Sequence, residues 1–358
     1  MTSIAESAVA AGRGIGRYFS VVGMVPAMVA VVWVAFLLSV GAWTGPIRLE
    51  RGLRTLSSLG VVQISALIVV ALVLGLVVNP FQFTATQWLE GYWGGGNLMS
   101  GIAARRINRY RSLLLHWASR GLAVEKALIT ATLADRKGKL PKSQDGLPHN
   151  ELLGLALDKL NVQDYDSLIR LDQVRRYHER LQGRFPSEPA RVMPTRFGNA
   201  LRAFEDRAGR QYELDAVVVA PHLSLLGENP RAAYVEDTRQ TMDLAVRLWM
   251  MALLVTPITA VLLADDGAWL LLTLCPYIVS YLAYRGAISC AQAYGNAVTF
   301  QIDLDRFALY QALKVPLPKT STGERTQNQK LMSLLQGRQG GQVVLRYTHT
   351  ESPQPDKS

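Results

Sequence analysis

Glu90 and the pair Glu205–Asp206 are the first places to look for chemistry in this 358-residue chain. Glu90 stands in LEGYW beside Tyr92 and Trp93, just after a long apolar run. A carboxylate placed there could meet a lipid substrate as an acid or a base. Glu205 and Asp206 lie in RAFEDRAGR and could serve acid–base or metal chemistry. They share their surroundings with Arg196, Arg202 and Arg207, and ion pairing on a helix face explains them without catalysis. A cationic cluster, Arg105, Arg106, Arg109 and Arg111, could hold anionic lipid headgroups or form a solvated face. The five histidines, His116, His149, His178, His222 and His349, are scattered, with no HExxH and no ligand pairing. Cys275 and Cys290 give neither a disulfide framework nor a zinc pattern, and suit a reducing compartment. The sequence therefore assigns no catalytic residue, no metal site and no cofactor.

The elements that must carry these residues are set by the distribution of charge. Charged residues make up 18% of the chain, against about a quarter in soluble proteins, while 49% is hydrophobic. The deficit is concentrated in four uncharged runs, within 18–47, 55–89, 248–264 and 267–284. A hydrocarbon layer of about 30 Å needs about 20 apolar helical residues, so each run is read as a membrane span or close to one. The expected fold is an all-α membrane protein with two transmembrane hairpins and a mainly helical cytoplasmic domain between them. The first hairpin occupies 18–79, with spans at about 20–43 and 57–79. The second occupies 244–286, with spans at about 246–264 and 267–285 and a turn at Asp265–Asp266. Residues 1–17 form an N-terminal tail, 80–243 the basic middle domain, and 287–358 a helix and a partly disordered tail. An even span count leaves both termini and the middle domain on one side. Arg13, Arg17, Arg231, Arg239, Arg247 and Arg285 flank the spans on that side, against Arg48, Arg51 and Arg54 on the other. This favours a cytoplasmic domain. Arg247 and Asp243, at the mouth of the third span, are expected to snorkel. The loop GPIRLERGLRTL alternates leucines with arginines and suits the membrane interface. Trp43, Trp88, Trp249 and Trp269 fall near span ends, as amphipathic rings do. The net charge of +10 is spread along the chain, which excludes nucleic acid as a partner and suits an anionic leaflet.

Helical spacing continues outside the spans. Gly94, Gly95 and Gly96 should break the helix leaving the second span. Ile107, Tyr110, Leu114 and Trp117 then mark one amphipathic helix, and Leu168, Leu171, Val174, His178 and Leu181 a second. A polar loop at 135–151 separates them. Pro186, Pro189 and Pro194 hold an extended lead-in to a helix capped by Thr195 and stopped by Gly209, with Phe197, Leu201, Phe204 and Ala208 on its apolar face. Residues 216–220 (AVVVA) read as a short strand closed by Pro221. From Pro230 one long helix runs into the third span, and the fourth continues outward along Ala287, Ala291, Tyr294, Val298 and Ile302. VPLP at 315–318 ends it, and a last helical piece is expected at 331–336.

LEGYW (89–93), PARVMPTRFGNALRAFEDRAGRQYELDAVVVAP (189–221) and DLDRFALYQALKVPLP (303–318) resemble a family of uncharacterised bacterial, largely actinobacterial-type, four-span membrane proteins. The resemblance carries no activity and implies a bacterial inner-membrane location. Three functional readings follow. The first is a membrane-anchored sensor, scaffold or effector working through protein or lipid contacts. Glu90, Tyr92, Trp93, Arg105, Arg106, Arg109, Arg196, Arg202, Glu205 and Asp206 are its candidate contacts. The second is a pore or transporter built by homo-oligomerisation, with Gly23, Ala27, Ala71 and Gly75 allowing close helix approach. The third is an enzyme with a membrane-side site at Glu90. The bilayer with its anionic headgroups, and a protein partner or second copy, are the implied partners.

Overall fold

The computed structural model describes residues 24–134 except Thr44, residues 183–226 and 230–337, and Gln173, Arg176, Leu345 and Tyr347. For Leu56 and 117–134 it describes the backbone alone. The N-terminal tail and the start of the first span (1–23), the loop expected at 135–151, His178 with most of its amphipathic stretch, and the tail beyond 337 apart from Leu345 and Tyr347 lie outside the described residues. Among the described residues every regular element is helical.

Helix α1 (Met24–Val40) is wholly apolar and ends where Gly41 takes a φ of +103°. The span expected to reach residue 43 therefore stops at Val40, because Gly41 and Trp43 (φ +80°) reverse the chain. Helix α2 (Leu49–Ser57) follows in the arginine–leucine loop. It lies so close to α1 that a Cβ on Gly52 would fall 2.3 Å from Val40 Cγ1. Helix α3 (Val61–Val78) carries the second apolar run, and a 3-10 turn at Asn79–Phe81 leads into α4 (Gln82–Glu90). The break expected at Gly94–Gly96 comes earlier. Gly91 adopts a φ of +107° and its N–H closes on Gln87 and Trp88 carbonyls, the left-handed cap that only glycine takes at no steric cost.

Helix α5 (Asn97–Ala134) belongs to a compact unit of residues 94–194. Arg105, Arg106 and Arg109 are exposed along it, while Ile107, Tyr110 and Leu114 are half-buried. The Tyr110 and Phe185 rings pack with centroids 5.5 Å apart, and Arg111 Nε donates to the Pro189 carbonyl at 2.9 Å. The proline-rich lead-in is not extended throughout, because Pro189–Arg191 closes a 3-10 turn.

The other unit comprises residues 1–93 and 195–358. It contains α6 (Arg196–Glu205), α7 (Ala216–Ser224), α8 (Pro230–Leu262), α9 (Leu274–Ala312) and α10 (Ser321–Leu335). The strand expected at 216–220 is the first turn and a half of α7. Asp215 supplies the cap, its carboxylate accepting the Val217 N–H at 3.0 Å, and Ala216, Val219 and Leu223 are buried on one face. Capping and burial outweigh the β preference of three consecutive valines. Helices α8 and α9 are each continuous over more than 30 residues, as the spacing predicts. They are joined through the Asp265–Asp266 turn, after which Gly267–Thr273 is 3-10 rather than α. Cys275 and Cys290 sit on α9 about 22 Å apart at 1.5 Å per residue, too far to bond to each other.

Helix α10 begins ten residues before the piece expected at 331–336, because Thr320 caps it by accepting the Gly323 N–H. Its polar sequence hid it. It docks through buried polar contacts in its first turns and through Leu331 and Met332, buried in the core, near its end. Arg306 pairs with Glu324 at 2.7 Å, Tyr310 donates to Asn328, and Asn328 Nδ2 donates to the Tyr212 carbonyl.

By length and composition three helical segments could cross a membrane: Val61–Glu90, Pro230–Leu262 and Gly267–Ala312. Their apolar parts are Val61–Val78, 248–262 and 267–284. Helix α1 is as apolar and is described over 17 residues, packed against α3 and α8. Ala27 on α1 and Ala71 on α3 are fully buried, the small residues that let helices approach.

Candidate functional site

Helix α6 is the element on which the candidate residues converge. Its cap residue Thr195 has two roles at once. The Thr195 hydroxyl accepts the Gly198 N–H at 2.9 Å and donates to the Glu90 carbonyl at 2.9 Å. The start of α6 is therefore tied to the end of α4. The two backbones touch, and a Cβ on Gly198 would lie 2.1 Å from the Glu90 oxygen. One turn on, Phe197 and Leu201 are buried among Ala85 and Leu89 of α4, Val246 of α8, and Ala287 and Ala291 of α9. Each large side chain so buried contributes about 2 kcal/mol. At the far end, Phe204 sits over Gly295 of α9, where a Cβ would be 2.5 Å away, and its ring meets Tyr294 edge-on.

The polar face of α6 completes the junction. Arg202 Nη1 donates to Glu205 Oε2 at 2.6 Å, and Arg202 Nη2 donates to the Tyr92 hydroxyl. Burial works against the Arg202 charge, but Glu205 and Tyr92 more than offset it and hold its pKa up. Glu90, outside the apolar stretch Val61–Val78, shares this field. Burial pushes its carboxyl pKa up, Glu205 pushes it further, and Arg202 pulls back. The Arg196 backbone N–H donates to Tyr284 of α9 at 3.3 Å, while its side chain is exposed. Trp93 Nε1 donates to the Trp88 carbonyl at 2.8 Å.

Of the ten candidates, then, Glu90, Tyr92, Arg202 and Glu205 form one cluster. Asp206, Arg196 and Trp93 flank it on the same unit. Arg105, Arg106 and Arg109 belong to the 94–194 unit. Among the described residues no group of three or more His, Cys, Asp or Glu could hold a metal ion.

A second polar joint escaped the sequence reading. Arg247 and Asp243, expected to snorkel, are 5% and 7% exposed. Arg247 points inward and donates to Gln82 Oε1 and, at 2.8 Å, to Asn79 Oδ1. Asn79 in the 3-10 turn and Gln82 at the start of α4 offer two side-chain amide oxygens to the guanidinium. Hydrogen bonds to a buried charge are worth about 1.5–3 kcal/mol each, more than extension toward water would return. The only sequence signal was the pairing of an amide-bearing helix break with a lone arginine before an apolar run.

Chemically, the cluster has two carboxylates, one guanidinium and one phenol. It lacks an activated nucleophile with its base, and what its geometry does is fasten α6 to the segment 90–92 that ends α4, while Arg196 and Phe204 hold α6 on α9. No family model, curated protein or solved structure matches the chain.

Proposed function

We propose that the chain is an integral membrane protein with four spans in two hairpins. On this reading it lies in a bacterial inner membrane with both termini and the polar helices cytoplasmic. It belongs to the four-span family that its sequence resembles, and acts as a membrane-anchored sensor or scaffold through protein or lipid contact. The observation that carries the reading is α6. One short helix is bonded at Glu90 and Tyr92 to the segment leaving α3, and packed at Tyr284 and Gly295 on α9. Both segments continue into stretches apolar enough for a bilayer. A load on α6 is therefore felt by helices of both hairpins, which a contact-driven protein needs and an isolated anchor does not. The test is quantitative capture of the full chain from gently solubilised membranes. Wild type should carry a protein or lipid partner at fixed stoichiometry, and Arg202→Ala should reduce that occupancy. Monodisperse protein without a partner, in both forms, overturns the reading.

A further inference from the structure

The apolar halves of α1, α8 and α9 do not close on one another. Between them runs a cavity of about 590 Å³, within the 300–1,000 Å³ typical of ligand sites. Small or recessed residues form its floor: Pro26 and Ala30 of α1, and Met251, Ala252 and Val255 of α8, all buried. Val25, Val29 and Val32 of α1 stand at its rim, 43–51% exposed. Phe36, Cys275 and Pro276 complete the wall. Trp33 also lines the cavity, and its Nε1 donates to Thr259 of α8 at 3.0 Å. That bond holds the indole against α8 and stops α1 from sliding inward to fill the space.

The wall is apolar, its sulfurs are weak partners and the Trp33 N–H is already given to Thr259, so water finds too few of the two to four polar partners it needs and the cavity is not a hydrated one. Left empty, it would deprive its lining of dispersion contacts on one side. The rim valines are themselves exposed apolar side chains, and elsewhere on α8 Leu254, Ile258 and Val261 are 46–59% exposed. On the membrane reading, on which this inference rests, these side chains face hydrocarbon. The medium able to fill the cavity is therefore the one already touching its rim. We infer that the α1–α8–α9 cavity is a binding site for one acyl chain of a bilayer phospholipid.

The test reconstitutes the full chain with a phosphatidylcholine that carries a photoactivatable diazirine on one acyl chain, then maps labelled peptides by mass spectrometry. Labelling should concentrate on 25–36 and 248–255 by several-fold over the lipid-facing surface of α3. Ala252→Phe and Ala30→Phe, which fill the floor, should remove that excess. Val69→Phe, on a 59%-exposed position of α3, should leave it intact. A filled variant counts only if it elutes as the wild type does, and retention of label in such a variant overturns the site. Uniform labelling of α3 and the cavity overturns it too, reducing the contact to ordinary surrounding lipid. Protection of 25–36 in a cross-linkable dimer assigns the cavity to a second copy and also overturns it. Absence of label everywhere, α3 included, instead removes the membrane reading beneath it.

Discussion

Replacing Gly198 by alanine tests the α4–α6 contact with one methyl group. The added Cβ would sit 2.1 Å from the Glu90 oxygen, 2.9 Å from its carbon and 3.1 Å from its Cα. All three are backbone atoms and cannot rotate away. Relief to an ordinary 3.4 Å contact requires the helices to part by roughly 1.3 Å, the difference between 3.4 and 2.1. That opening stretches the 2.9 Å bond from the Thr195 hydroxyl to the Glu90 carbonyl past hydrogen-bonding range. Overpacking costs about 1–3 kcal/mol and the lost bond about 1 more. Alanine returns about 1 kcal/mol of helix propensity. The net destabilisation is about 1–3 kcal/mol, or a Tm lower by on the order of 5 °C in detergent-solubilised protein. Gly286→Ala is the matched control, because nothing lies within 4 Å of its Cβ position on α9. It should leave Tm unchanged or raise it. If Gly198→Ala melts at or above Gly286→Ala, α6 does not sit against α4 as described.

Arg247→Ala removes both bonds to Asn79 and Gln82 and should cost about 3 kcal/mol, read as a lower thermal midpoint. A change within 0.5 kcal/mol would mean that the arginine reaches water instead. Glu90 has a raised folded-state pKa, so its contribution is fully present below its unfolded value and is lost as pH rises through the folded one. Glu90→Gln should therefore be more stable than wild type at pH 7 and lose that advantage at about pH 4. An advantage that persists into acid refutes the assignment. Burial raises the Tyr310 pKa to about 12, with Glu324 adding to the rise and Arg306 opposing it. Its hydroxyl donates to the buried Asn328. The Tyr310 contribution should be constant below pH 10 and be lost between about pH 10 and 12, and Tyr310→Phe should flatten that fall in a pH-stepped melt.

The long helices were legible because their patterns are local. Pro230 opens α8, three-and-four spacing runs through Val235, Met242 and Val246, and the apolar run follows without interruption. Thr195 marked the start of α6 for the same reason, through cap chemistry contained in a few residues, whereas α6 stops at Glu205, before the expected stop at Gly209, whose φ of +77° instead opens the next 3-10 turn. What the sequence concealed depends on partners distant along the chain. Three valines before Pro221 look like a strand until Asp215 is seen to cap them and α9 to cover them. Gly198 and Gly295 look like ordinary helix-weakening glycines, and only the approach of Glu90 and Phe204 gives them a reason. Arg247 read as a snorkelling side chain because its amide partners lie more than 160 residues away. Of the candidate contacts, Glu90, Tyr92, Arg202 and Glu205 were each chosen separately, for their types. Their meeting across a gap of more than 100 residues is tertiary information.

The account stands or falls on whether α8 and α9 cross a bilayer. Single cysteines at Asp266, in the turn between them, and at Ser321, at the start of α10, would be placed in a chain with Cys275 and Cys290 replaced. Sealed inside-out and right-side-out vesicles would then be treated with a membrane-impermeant thiol reagent. The account predicts opposite accessibility, with position 321 labelled from the cytoplasmic face and position 266 from the other. Equal labelling of both positions from one face would contradict it.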